Sequence, residues 1–143
     1  MRPDKDTYYL NIAAAVSERS TCLRRQYGAI IVKDDEIIGT GYNGSPRGDD
    51  NCCDLGVCWR EFNRIPHGEQ YEKCRAVHAE ENALLSAARR DCIGATLYLT
   101  GYENGVRLAY PMPCEICSKL LRNAGIVRVV NHSEEANQHE KKQ

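Results

Sequence analysis

Two short stretches carry residue types able to act together: His78-Ala79-Glu80 and Pro113-Cys114-Glu115-Ile116-Cys117, with 35 residues between His78 and Cys114. Cysteines at i and i+3 lie on one face of a helix, so both sulfurs reach one ion at roughly 2.3 Å, a distance that suits zinc. Pro113 fixes the chain just ahead of the turn, and the unpaired N–H groups of a helix start favour thiolate over thiol. His78 supplies a neutral imidazole as third ligand. Three protein ligands leave one tetrahedral position open, which is the arrangement of a catalytic zinc whose bound water has a pKa lowered toward about 7. Glu80, two residues beyond His78, can reach that water without ligating the metal and is the general acid/base candidate. A lone His-x-Glu carries no meaning, and a lone Cys-x-x-Cys reads equally as half a structural site or a redox pair. Their order, and their placement at two expected helix starts, give the combination its force.

The rest of the chain must position these groups. Its 143 residues predict one domain over 1–143, with a core over about 6–131. Nineteen Lys and Arg against twenty Asp and Glu leave a net charge of -1, so there is no basic field to gather nucleic acid. No apolar run approaches the roughly 20 residues of a bilayer span. The charged start Met1-Arg2-Pro3-Asp4-Lys5-Asp6 is unlike a secretory signal, which places the protein in the cytoplasm. A reducing compartment makes metal binding the better account of eight cysteines.

Tyr9, Ile12, Ala13 and Val16 predict a helix over 8–16, capped by Asp6 and ending near Ser20. The runs 27–32 and 36–41 read as a hairpin, and four apolar residues in a row suggest a sheet covered on both faces. The stretch 42–77 reads as a cysteine-rich loop insertion, followed by a helix over 79–90 that ends on Arg89-Arg90. A strand over 95–100, a loop over 101–113, a helix over 114–123 stopped at Gly125 and a strand over 126–130 complete the folded part. The last twelve residues, with His132 and His139, read as a polar tail, and His67 as a turn residue. The order α, β, β, α, β, α, β implies an α/β fold: parallel neighbours beside an antiparallel hairpin, in a mixed sheet with helices on both faces.

With these motifs the chain resembles the cytidine and deoxycytidylate deaminase superfamily over about residues 13–130, since His-x-Glu followed by Pro-Cys-x-x-Cys marks zinc nucleobase deaminases. Tyr27-Gly28-Ala29-Ile30-Ile31-Val32, Gly41-Tyr42-Asn43-Gly44-Ser45-Pro46, His78-Ala79-Glu80-Glu81-Asn82-Ala83 and Gly94-Ala95-Thr96-Leu97-Tyr98-Leu99-Thr100 are similar to the deoxycytidylate (dCMP) branch in particular. The resemblance implies a three-layer α/β/α cytidine deaminase-like fold with a mixed central sheet. It implies hydrolysis of dCMP to dUMP and ammonia, supplying dUMP for thymidylate synthesis, in a homo-oligomer activated by dCTP and inhibited by dTTP. It further implies that Asn43 hydrogen-bonds the substrate sugar, that the backbone N–H of Ala79 meets the pyrimidine carbonyl, and that the loop around Tyr42 and Gly44 binds the regulatory triphosphates. Arg47, in the same loop, has the better location for a phosphate than Arg24-Arg25 or Arg89-Arg90, which read as solvated faces. The run Leu108-Ala109-Tyr110-Pro111-Met112-Pro113 departs from the family, where Thr or Ser with Pro commonly precedes the cysteines. Other readings are a deaminase for another base carrier, such as cytidine or transfer RNA, and a non-catalytic zinc-bearing nucleotide sensor.

Cys22, with Cys52 or Cys53, Cys58 and Cys74, would close a second, structural zinc site that ties down the long loop, as in several microbial members that resemble this branch. The alternative is that some are small buried hydrophobes, as Cys92 near a helix end is read to be.

Overall fold

The structure, a computed structural model, describes residues 1–66, 69, 74 and 76–132. His67, His139 and all of the polar tail except His132 lie outside the described residues. The elements are α1 (Lys5–Ser17), β1 (Arg25–Lys33), β2 (Glu36–Tyr42), α2 (Cys52–Leu55), α3 (Trp59–Phe62), α4 (Ala79–Ser86), α5 (Arg89–Cys92), β3 (Thr96–Glu103), β4 (Val106–Arg107), α6 (Glu115–Ala124) and β5 (Arg128–Val130). The sheet runs β2-β1-β3, and β4 and β5 share the outer edge of β3. β1 is antiparallel to both β2 and β3, β4 is antiparallel to β3, and β5 is parallel to β3.

Alternation along the strands produces two cores. Ile30, Val32, Tyr98 and Val130 meet Tyr9, Leu10 and Ala13 of α1 on one face. Ala29, Ile31, Leu97 and Leu99 meet Ala79 and Ala83 of α4, Cys92, Leu121 of α6 and Ile126 on the other. The four consecutive apolar residues of β1 therefore serve two layers, as a doubly covered strand requires. Close approach of helix to sheet depends on two glycines. A Cβ at Gly28 would lie 2.0 Å from the Ala13 carbonyl oxygen of α1, and one at Gly41 would lie 2.3 Å from the Ala79 carbonyl oxygen of α4.

Several expectations change at this point. The strands flanking α4, β2 and β3, do run parallel, but β1 lies between them, so the one neighbouring parallel pair is β3 with β5. Asp4, not Asp6, caps α1, through the Thr7 N–H at 2.8 Å. Asp6 instead accepts from the Tyr98 hydroxyl at 2.7 Å and from Arg128 at 2.6 Å. The helix expected over 79–90 stops at Ser86, where Ala87 turns to extended backbone, and Arg89 opens a separate short helix. The cause is the sheet edge: the Ser86 hydroxyl accepts from the Thr40 N–H and donates to the Thr40 carbonyl, occupying backbone groups of the outer strand β2. The expected loop 101–113 begins with a hairpin, because β3 continues to Glu103 and Asn104-Gly105, both at positive φ, turn the chain into β4. Asn-Gly with both residues at positive φ is the favoured turn for two-residue hairpins. His132 is not a tail residue: it is 5% exposed, and its Nε2 lies 2.8 Å from the Thr100 hydroxyl.

Candidate metal centre

Asn82 in the first turn of α4 bonds the Tyr42 carbonyl at the end of β2, and the segment before α6 is bonded through the Pro111 carbonyl to Asn131 just past β5; β2, β3 and β5 run parallel, so both helices begin at the carboxyl edge of the sheet. This brings together residues 36 apart. His78 is the N-cap of α4 and Cys114 the N-cap of α6, with the Cys114 sulfur accepting from the Cys117 N–H at 3.4 Å. His78 Nδ1 lies 3.3 Å from Cys117 Sγ and 3.6 Å from Cys114 Sγ, and the three candidate ligand atoms all lie within 4.8 Å of one another. Tetrahedral coordination at ordinary zinc bond lengths separates nitrogen from sulfur by about 3.6 Å. The donor set and its spacing therefore fit zinc.

The surroundings hold the set in place. The Glu81 carboxylate accepts from the His78 backbone N–H at 3.0 Å, and Asn82 donates to the Tyr42 carbonyl at 2.8 Å, fixing the first turn of α4 to the end of β2. Glu80 is 6% exposed. Burial pushes its carboxyl above the ordinary range, opposed by smaller effects that include His78 and a hydrogen bond with Cys117. Burial, reinforced by the neighbouring Glu80 carboxylate, pushes the Cys117 thiol up strongly. A metal ion at this position would replace that proton and stabilise the thiolate.

The other expected site residues fall around this edge. Ala79, 1% exposed, is the first residue of α4, so its N–H lies in the turn that lacks intrahelical partners. Asn43 is buried; its Oδ1 accepts from the Tyr27 N–H and the Ser20 hydroxyl, and its Nδ2 donates to the Arg25 carbonyl. Tyr42 and Arg47 are exposed, while Gly44 exchanges two backbone hydrogen bonds with Val77, the residue before His78. Arg24 and Arg25 pair with Glu61 and Glu103.

The remaining cysteines are not gathered in the same way. Among the described residues, His78, Cys114 and Cys117 form the one group of three candidate ligand atoms lying mutually within 4.8 Å; Cys22, Cys52, Cys53, Cys58 and Cys74 belong to no such group. Cys52 and Cys58 are buried, Cys22 and Cys74 half-buried and Cys53 exposed. The backbone does bring the first of them near: the Cys53 N–H donates to the Thr21 carbonyl at 3.0 Å. Asn82, Ser86 and Asn131 are the polar residues of this edge that the sequence reading passed over. Asn82 and Ser86 follow Glu80 on the same helix, but β2, the partner that gives them meaning, is remote in sequence.

Comparison with known proteins agrees with the geometry. Residues 3–133 match the family described as the cytidine and deoxycytidylate deaminase zinc-binding region. The chain is 45% identical to the deoxycytidylate deaminase of Mycobacterium phage D29, over 90% of this chain and 94% of that protein. It is 36% identical to the deoxycytidylate deaminase of Schizosaccharomyces pombe over 92% of this chain, which spans 38% of that longer protein. Among solved structures it is similar to the dCMP deaminase of cyanophage S-TIM5 in complex with dCMP and dUMP, at 30% identity and a TM-score of 0.65, covering 92% of this chain and 82% of that one. With two helix starts on one sheet edge presenting His, Cys and Cys beside a buried glutamate, this chain belongs to the zinc-binding cytidine and deoxycytidylate deaminase family.

Proposed function

We propose that this chain hydrolyses dCMP to dUMP and ammonia, supplying dUMP for thymidylate synthesis. The observation that carries the reading is the buried Glu80 carboxyl beside the His78, Cys114 and Cys117 set. The phage and yeast relatives named deoxycytidylate deaminase, and the cyanophage enzyme solved with dCMP and dUMP, support the substrate. Zinc held by the three ligands supplies Lewis acidity that makes water a nucleophile at neutral pH. Glu80 takes one proton of the attacking water and delivers it to N3 of the ring, then takes the second from the new C4 hydroxyl and passes it to the departing amino group as the C4–N bond breaks, so that water and dCMP become dUMP and ammonia. Burial raises its proton affinity above that of an exposed glutamate, which suits a group that must accept a proton before it passes one on. The Ala79 N–H donates to the pyrimidine carbonyl. Asn43 turns the second hydrogen of Nδ2 to the sugar, its first being given to Arg25.

The regulatory reading extends this. dCTP activates and dTTP inhibits through the loop of Tyr42, Gly44 and Arg47, whose backbone bridge to Val77 adjoins the ligand His78. An effector acts only by binding two activity states unequally. The chain works as a homo-oligomer, a reading supported by the exposed apolar side chains Tyr110, Met112, Ile116 and Leu120 around α6. Cys22, Cys52, Cys58 and Cys74, which form no ligand group among the described residues, would draw together around an ion to close a second, structural zinc site; the Cys53 N–H bond to the Thr21 carbonyl, which brings the loop beside Cys22, supports that reading. The whole chain acts as one deaminase unit in the cytoplasm, where thiol ligands stay reduced. For localisation the structure adds only that no helix among the described residues is long and apolar enough to cross a membrane.

The decisive experiment measures ammonia release from dCMP, deoxycytidine and cytidine, with and without each triphosphate. Preference for dCMP is the expected outcome. Equal turnover of cytidine overturns the substrate, and indifference to both triphosphates overturns the regulation.

A further inference from the structure

We infer that Asn131 is a positioning residue for the metal centre, its side-chain amide fixing the segment that delivers Cys114. Asn131 follows β5 and is 5% exposed. Its Nδ2 donates to the Pro111 carbonyl at 2.9 Å, a buried bond across 20 residues of sequence, and lies 3.2 Å from Met112 Sδ. Neither the carbonyl nor the thioether has a hydrogen to give, so the amide presents its donor end there.

The need for such a donor follows from the composition of the segment. Pro111 and Pro113 have no N–H, which leaves Met112 as the one backbone donor in three residues. The segment is held instead through its carbonyls: Asn131 takes that of Pro111, and the Ser118 hydroxyl takes that of Pro113 at a weaker 3.4 Å. Tyr110 and Met112 are each 67% exposed, so burial anchors the segment only at Pro111, beside the bond to Asn131. The next residue, His132, bonds Thr100 of β3 at 2.8 Å. A ligand site needs its donors held to about 0.5 Å, and losing a supporting hydrogen bond typically costs roughly 10- to 100-fold in metal affinity.

This inference rests on the zinc reading. The test compares zinc-loaded wild type with Asn131→Ala, Asn131→Asp, Ser118→Ala and His132→Ala. It follows zinc transfer to a chelator, the thiolate absorption of the cobalt-substituted proteins and thermal unfolding. Asn131→Ala is expected to release zinc roughly 10- to 100-fold faster and to alter the cobalt spectrum. The isosteric Asn131→Asp, which offers the Pro111 carbonyl no donor when ionised, should do the same. His132→Ala should lower the unfolding temperature while leaving release within about threefold of wild type. If Asn131→Asp does not fold, Ser118→Ala decides, with a smaller acceleration expected. Wild-type release in Asn131→Ala, wild-type behaviour of Asn131→Asp, no acceleration in Ser118→Ala, or equal acceleration by His132→Ala would each overturn the assignment. A wild-type protein that takes up no zinc would instead sink the underlying metal reading.

Discussion

At the carboxyl edge of the sheet, Glu80 and Cys117 are buried side by side and each has its proton affinity raised by burial. At the amino edge, ionisable groups are just as close but settled among themselves. Asp6 accepts from Tyr98 and Arg128, and the Arg128 guanidinium holds its carboxyl below the ordinary range. Asp35, in the turn between β1 and β2, accepts from the Tyr9 hydroxyl and Lys5, and the Asp35 carboxylate pushes Tyr9 up to about 12. The same chemical types therefore serve two ends: one edge leaves proton and metal affinity to spend on a ligand, and the other uses it up in anchoring α1 to the sheet. Unmet electrostatic demand, rather than mere density of polar residues, distinguishes the reactive edge.

Removing a ligand should produce the largest effect. Cys117→Ser is expected to lower zinc content by about one per chain and to abolish turnover, as metal analysis beside the ammonia assay will show. Glu80→Gln keeps the shape but not the proton transfer, so turnover should fall by about 10²- to 10⁴-fold with zinc retained. Metal loss in that variant would assign Glu80 to the metal rather than to the proton. Gly41→Ala forces a Cβ against the backbone of α4, and overpacking of this kind costs about 3 kcal/mol. Calorimetry should show a fall of roughly 10 °C, with impaired turnover because His78 heads that helix.

The smallest effect belongs to the amino edge. Asp6→Asn should cost about 1 kcal/mol near neutrality, a figure kept low because Arg128 is half-exposed, and should leave turnover unchanged. The folded pKa of Asp6 is depressed, so its contribution is present above the unfolded value near 4 and fades as pH falls through the folded one. Denaturant titrations of the two proteins should therefore diverge above pH 4 and converge in stronger acid. A drop in turnover with intact stability would erase the contrast between the edges.

Residue chemistry at short spacing was legible in the sequence, and spatial closure was not. His78, Glu80, Cys114 and Cys117 could be picked out because caps and i, i+3 pairs are local, and the double covering of the sheet because the unbroken apolar run of β1 is local. The place of β1 between β2 and β3 depends on how a crossover lands, which no window of sequence contains. The break at Ser86 depends on Thr40, 46 residues away, and the role of Asp6 on Tyr98 and Arg128. Asn104-Gly105 is a different case, since the hairpin dipeptide was in plain view and the surrounding loop composition hid it.

The bridge between Gly44 and Val77 has a consequence for how this protein can vary. Its two hydrogen bonds, at 3.1 and 2.7 Å, join the ends of the long cysteine-bearing insertion just before the metal helix begins. With the ends clamped, doubling the enclosed length adds only about 0.6 kcal/mol of closure entropy. The clamp keeps His78 in register with the cysteines of α6 whatever the length of the insertion, while the bonds of Cys53 to Thr21 and of Glu61 to Arg24 hold its described part against the segment before β1.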